Sequence, residues 1–95
     1  METQVKSLII NGRRWFQRSY GNTYCTADIY VNGEHVHTTP VVYGYGDYYL
    51  QLAGEWLAAN GYVPHEHRQC LPHYCDEAGI VLGYSASDVS RERDL

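Results

Sequence analysis

Residues 41–62, VVYGYGDYYLQLAGEWLAANGY, decide the fold. Tyr49, Leu50, Ala53, Trp56 and Leu57 recur at three- and four-residue spacing, which makes one wide apolar stripe if the segment is helical. Gln51 and Glu55 fall on the other side. Asp47 follows a glycine and stands where its carboxylate can accept from the free N–H groups of a first turn. Its charge also suits the positive end of a helix. Asn60-Gly61 supplies a left-handed stop, and Pro64 prevents continuation. The spacing therefore predicts one long helix over 47–60. Trp56 is the largest member of the stripe, so Trp56→Ala is expected to cost about 3–5 kcal/mol if the ring is buried. The approach, Tyr43-Gly44-Tyr45-Gly46, is a loop and not a phosphate cradle, because no Gly-Lys-Ser/Thr follows it.

Upstream of the helix the pattern is sheet. Thr23 to Val31 alternates, with Cys25, Ala27, Ile29 and Val31 on one side and Tyr24, Thr26, Asp28 and Tyr30 on the other. The first set is the expected seat of the helix stripe. Val5–Ile10, Arg13–Arg18 and Glu34–Val42 also read as strands. Asn11-Gly12 and Asn32-Gly33 separate them as hairpin turns, since both residue types tolerate positive φ. Pro40 marks an edge strand or its end. Downstream, residues 63–78 read as irregular or briefly helical, and Gly79–Tyr84 as a last strand. Ser85 and Asp88 stand at capping-box spacing for a short final helix or a frayed end. The expectation is a single α+β domain over 1–95. It is an antiparallel meander of three to five strands, with one long helix across one face and a short C-terminal strand or helix.

Ninety-five residues support one modest core. Ten tyrosines against one phenylalanine is an unusual ratio. Tyrosine packs a ring while keeping a polar tip, which suits half-buried surfaces and interfaces. No apolar run has the length of a membrane span or a signal-peptide core. Three cysteines, an odd number, fit free or metal-bound thiols in a reducing, cytoplasmic setting. The net charge of −4 is uneven. Lys6, Arg13, Arg14 and Arg18 make residues 1–20 basic, and the remainder is acidic. An acidic body argues against general nucleic-acid binding and favours a basic protein partner.

His65, His67, Cys70, His73 and Cys75 place five zinc-type ligands close together, in the least regular part of the chain. Thiolate and imidazole are what tetrahedral zinc takes, and a small domain gains from such a clip. The alternatives are surface histidines beside Pro64 and small core cysteines. The cofactor expectation is accordingly none, or one structural zinc. His35 and His37 alternate on a strand and point the same way, exposed rather than ligating. A catalytic use of Cys25 with a distant histidine, or of Asp28 with Glu34, has no motif behind it, and Cys25 falls on the core side as an inert thiol. No catalytic residue is assigned. Arg13-Arg14-Trp15-Phe16-Gln17-Arg18 interleaves cations and aromatics as single-strand binders do. The simpler account is an amphipathic strand.

Gly21-Asn22-Thr23-Tyr24, then Tyr43-Gly44-Tyr45-Gly46-Asp47-x-Tyr49-Leu50-Gln51, and Ser87-Asp88-Val89-Ser90-Arg91-x-x-Asp94-Leu95 resemble motifs of a group of small phage and prophage proteins of unassigned function. The resemblance covers residues 11–62 and the C-terminus, and the His/Cys cluster is no part of it. It implies a phage-related origin and a host-cell setting. Small acidic phage proteins often block a host complex, restriction or CRISPR machinery included. The expected function is thus a non-enzymatic, anti-CRISPR-like binding protein, the alternative being a zinc-stabilised regulatory or nucleic-acid-binding module. Tyr24, Asp28 and Tyr30, extended by Tyr43, Tyr45 and Tyr48 around the helix entry, are the expected contact residues. Their expected occupant is a basic groove of a host protein, with a homodimer as the other candidate.

Overall fold

The alternating stretch becomes the strand β2 (Asn22–Val31) of a five-stranded sheet. The computed structural model describes residues 5–44, 46–67 and 71–95. Cys25, Ala27, Ile29 and Val31 are all buried on one side of β2, as their spacing requires. β2 turns into β3 (Glu34–Thr38) through Asn32 at φ 53° and Gly33 at φ 86°, the two positive angles of a type I′ hairpin. Asn32 Oδ1 also accepts from the backbone N–H groups of Lys6 (2.7 Å) and Ser7 (3.2 Å), which ties the turn to the start of the first strand.

That first strand corrects the expected meander. β1 (Ser7–Gln17) runs unbroken through Asn11-Gly12, which pair with Asp28 and Ala27 instead of turning. Gly12 is needed for closeness. A Cβ built on it would stand 2.5 Å from Cγ of Tyr49, so the ring of a helix residue rests on bare backbone. The sheet is mixed, not antiparallel. β5 (Val81–Val89) lies parallel to β1 from Ser7↔Val81 to Trp15↔Val89. Ser85–Asp88 thus continue a strand and begin no helix; a single 3₁₀ turn follows at Glu92–Asp94. The order is β3-β2-β1-β5, with β4 (Val42–Tyr43) also beside β2.

Between β3 and β4 the expected strand Glu34–Val42 breaks around Pro40, which has no N–H for the ladder. Thr39 bridges the gap. Its N–H donates to the carbonyl of Ala27 (2.9 Å), and its Oγ1 accepts from the N–H of Ala27 (2.8 Å). A bulge precedes it. Ile29 faces His37 while Tyr30 faces His35, so Val36 is an extra residue. The bulge sends the two histidines to opposite faces, against the expectation that they point together. His37 stacks on Trp56 at 4.5 Å and 6°, and His35 meets the ring of Tyr30 at 5.2 Å.

The helix α1 (Tyr48–Ala59) is a 12-residue element, shorter than the long helix expected. Asp47 sits at its N-cap position but makes no side-chain cap bond, so that expectation fails. The other end behaves as read. Gly61 has φ 79°, its N–H reaches Ala58 O (3.2 Å), and Tyr62 N–H reaches Leu57 O (2.9 Å), which is a Schellman close. Tyr49, Ala53, Gly54 and Leu57 are buried. Trp56 is only half-buried, stacked between His37 and Tyr62, so the large loss expected for Trp56→Ala does not follow from deep burial. A 3₁₀ turn at His65–His67 leads to α2 (Leu71–Ala78). Leu71 and Cys75 of α2 join Leu57, Ile10 and Ile29 in one core. Both helices therefore cover the same side of the sheet. No described helix is long and apolar enough to cross a membrane.

Candidate binding face

With both helices on one side, no described helix covers the other side of the sheet. Strand alternation places Ile9, Asn11, Arg13 and Trp15 of β1 there, beside Tyr30, Asp28, Thr26 and Tyr24 of β2. Tyr43 of β4 lies opposite Tyr24, and His35 and Thr38 of β3 lie opposite Tyr30 and Asp28. Tyr24 and Tyr30 are six residues apart, about 20 Å along the strand. The face thus has two aromatic ends and a polar middle.

At one end Trp15 stacks on Tyr24 with centroids 5.9 Å apart, and Tyr24 meets Tyr43 edge-on at 6.0 Å. Tyr43 is 57% exposed, so its ring is open to a partner. This end continues into a broad groove of ≈ 1020 Å³ at the sheet's end, lined by Trp15, Phe16, Arg14, Arg18 and Asp88 among others. At the far end Tyr30 and His35 adjoin Ile9, itself 41% exposed.

The middle is a chain of polar bonds. Arg13 NH2 lies 3.1 Å from Asp28 Oδ1. Thr38 Oγ1 donates to the same oxygen at 2.6 Å. Because that hydroxyl gives its proton to Asp28, it accepts from His35 Nε2 at 2.9 Å. Arg13 is the cross-strand neighbour of Thr26, and Arg13 Nε and Thr26 Oγ1 are both buried without a hydrogen-bond partner. Asp28 is therefore paired within the face, by Arg13 and Thr38, and the negative charge expected between the tyrosines already has a partner there.

Of the expected contact residues, Tyr24, Asp28, Tyr30 and Tyr43 share this face. Tyr48 does not. It belongs to the helix layer, with its ring against Gly44. Tyr45 lies outside the described residues. Trp15 and Arg13 are part of the face and were absent from the expected set. Their signal is the alternation Arg13, Trp15, Gln17 inside the basic-aromatic stretch. The strand divides that stretch, since Arg14 and Phe16 face the helix side. Arg14 is itself bonded to Asp88 (3.1 Å) and to the carbonyl of Gly46 (3.3 Å).

Of the expected zinc ligands, the described ones stand apart in burial and direction. Cys75 is 1% exposed in the core, while His73, two residues away on the same helix, is exposed and 3.1 Å from Glu77. Helix geometry points neighbours two apart in nearly opposite directions. His65 stands in the 3₁₀ turn; Cys70 and the side chain of His67 lie outside the described residues. Among the described residues no three His, Cys, Asp or Glu side chains come together as a metal group. Burial pushes the thiols of Cys25 and Cys75 up, with Arg14 opposing it at Cys25, so both stay protonated at neutral pH. Comparison with protein-family models, with curated protein sequences and with solved structures finds no match to this chain.

Proposed function

We propose that this chain is a non-enzymatic binding protein that docks on a host protein complex through its open sheet face, and that it inhibits that complex as small phage proteins do in antiviral conflict. The observation that carries the docking part is the side of the sheet that no described helix covers, with aromatic side chains at both ends of an internally paired polar strip. Large rings with polar tips are the side chains that dominate binding energy when a partner closes over them. The resemblance of the Gly21–Tyr24 and Tyr43–Gln51 motifs to phage proteins supplies the host-directed part. The two described thiols, both buried and protonated, support a role without covalent chemistry. The chain's net charge of −4 favours a partner of basic character, through encounter rate more than through the bound contact.

The test is quantitative capture of host proteins by the intact chain and by Trp15→Ala and Tyr24→Ala variants of unchanged melting temperature. Removal of an anchor is expected to weaken the retained partner by about 30-fold, from about 2 kcal/mol lost per hot-spot ring. Tyr48→Ala, on the helix layer, is expected to bind as the parent does. Equal retention by all variants would exclude the open face. Loss of binding after nuclease treatment would replace a protein partner by a nucleic acid.

A further inference from the structure

The two edges of the sheet are built differently. The β3/β4 edge is short, bulged at Val36, broken at Pro40 and charged at Glu34, the devices that stop strands from adding to an edge. The β5 edge has none of them. It is nine residues long, in unbroken register with β1, and free of charge and proline from Val81 to Ser87. Val81 is 72% exposed and Tyr84 50%. Among the described residues no strand pairs with its outer side.

The hydrogen-bond phase of this edge can be read. Val81 N–H donates inward to Lys6 O at 3.1 Å. In a parallel ladder alternate residues bond the neighbouring strand. Val81, Gly83, Ser85, Ser87 and Val89 therefore bond β1, and Leu82, Tyr84, Ala86 and Asp88 turn their N–H and C=O groups outward. Four donors and four acceptors stand open along one line.

We propose that β5 pairs antiparallel with β5 of a second copy of this chain, about a two-fold axis that sets Ser85 opposite Ser85. In this register Tyr84 bonds Ala86 of the second copy and Leu82 bonds Asp88, so all four outward residues on each chain are used. A shift of the axis to Tyr84 would call on Ile80, whose N–H is already given to Cys75 O (2.9 Å). The side chains agree with the register. On the helix side each Tyr84 lies over the small Ala86 opposite and reaches the other Tyr84 across the axis, within the diagonal range of long side chains. On the open side Val81 meets Val89. Asp88, the one charge on the strand, is already held by Arg14, so the approaching edges are neutral although each chain carries −4. The product is an isologous dimer with one continuous ten-stranded sheet, all helices on one side and the two open faces coplanar. It uses an edge, not the Tyr24/Tyr30 face, and stands independently of the function proposed above.

Single cysteine variants read the register directly. Ser85→Cys places two thiols opposite each other in a non-hydrogen-bonded pair with Cα atoms about 4.5 Å apart, inside disulfide range. It is expected to cross-link to a covalent dimer under mild oxidation. Ser87→Cys puts its thiols about 14 Å apart along the strand and is expected to stay monomeric on a denaturing gel. Light scattering of the parent is expected to give twice 10.9 kDa at high micromolar concentration. Ala86→Pro removes an outward N–H without touching the β1 ladder, and is expected to give one chain mass with the parent's circular dichroism. A monomeric parent at every concentration, or cross-linking that does not favour Ser85→Cys over Ser87→Cys, overturns the proposal. If Ala86→Pro fails to fold, the cysteine pair decides alone.

Discussion

Gly12 shows how one missing side chain sets the contact between the two layers. Tyr49 is 2% exposed and has nowhere to move when a methyl group appears beneath its ring. Gly12→Ala is expected to destabilise by about 1–3 kcal/mol, as overpacking does. In a Tyr49→Ala background the same change is expected to cost much less, which urea melts of the four proteins would register. An equal cost in both backgrounds would assign Gly12 a backbone role in place of the contact with Tyr49. The buried acids make a second residue-scale prediction. Burial raises the thiols of Cys25 and Cys75, and Tyr49 is raised by burial first and then by Asp47 and Tyr84, against Arg14. The unfolded chain loses thiol protons from about pH 8.5 and tyrosine protons from about pH 10, while the folded chain keeps them. From there the folded state binds more protons, so stability falls as pH rises. The urea midpoint is expected to be lower at pH 10 than at pH 7, and the drop to shrink in a Cys25→Ala, Cys75→Ala variant. A midpoint that holds across that interval would show that these groups ionise alike in both states.

At the scale of elements, β2, the Asn32-Gly33 turn and the body of α1 were legible because each rests on its own local pattern. The Asn11-Gly12 dipeptide misled because it carries the same letters as a turn while its glycine serves a contact with Tyr49, more than thirty residues away. Ser85 to Asp88 misled because short polar side chains cap helices and also occupy an exposed edge strand. The parallel pairing of β5 left no local mark, since it depends on which strand the returning chain finds. His35 and His37 were separated by a one-residue bulge that nothing in their own sequence announces. Thr39 shows the same long reach, completing a ladder that Pro40 interrupts. Thr39→Val keeps the shape and removes the acceptor for the buried N–H of Ala27. It is expected to cost about 1–3 kcal/mol in thermal or chemical melts. A cost near zero would mean that water reaches that N–H.

For the whole molecule, the main consequence is asymmetry. One side of the sheet is sealed by α1 and α2 around Leu8, Ile10, Ile29, Leu57 and Leu71, and no described helix covers the other, where Arg13 and Asp28 are paired, Trp15, Tyr24 and Tyr30 are half-buried and Tyr43 is exposed. The outward set Tyr24, Asp28 and Tyr30 could be read from β2 alone. Trp15 and Tyr43 needed the register of three strands, and the pairing of Asp28 needed Arg13 on one neighbour and Thr38 on the other. The function proposed for the chain stands or falls with that open side. A photo-reactive benzoylphenylalanine at position 43, on the open face, and at position 48, on the helix layer, would test it in the host cell. The account predicts one partner adduct from position 43, abolished by Tyr24→Ala, and none from position 48. An adduct from position 48 alone, or adducts equal at both, would contradict it.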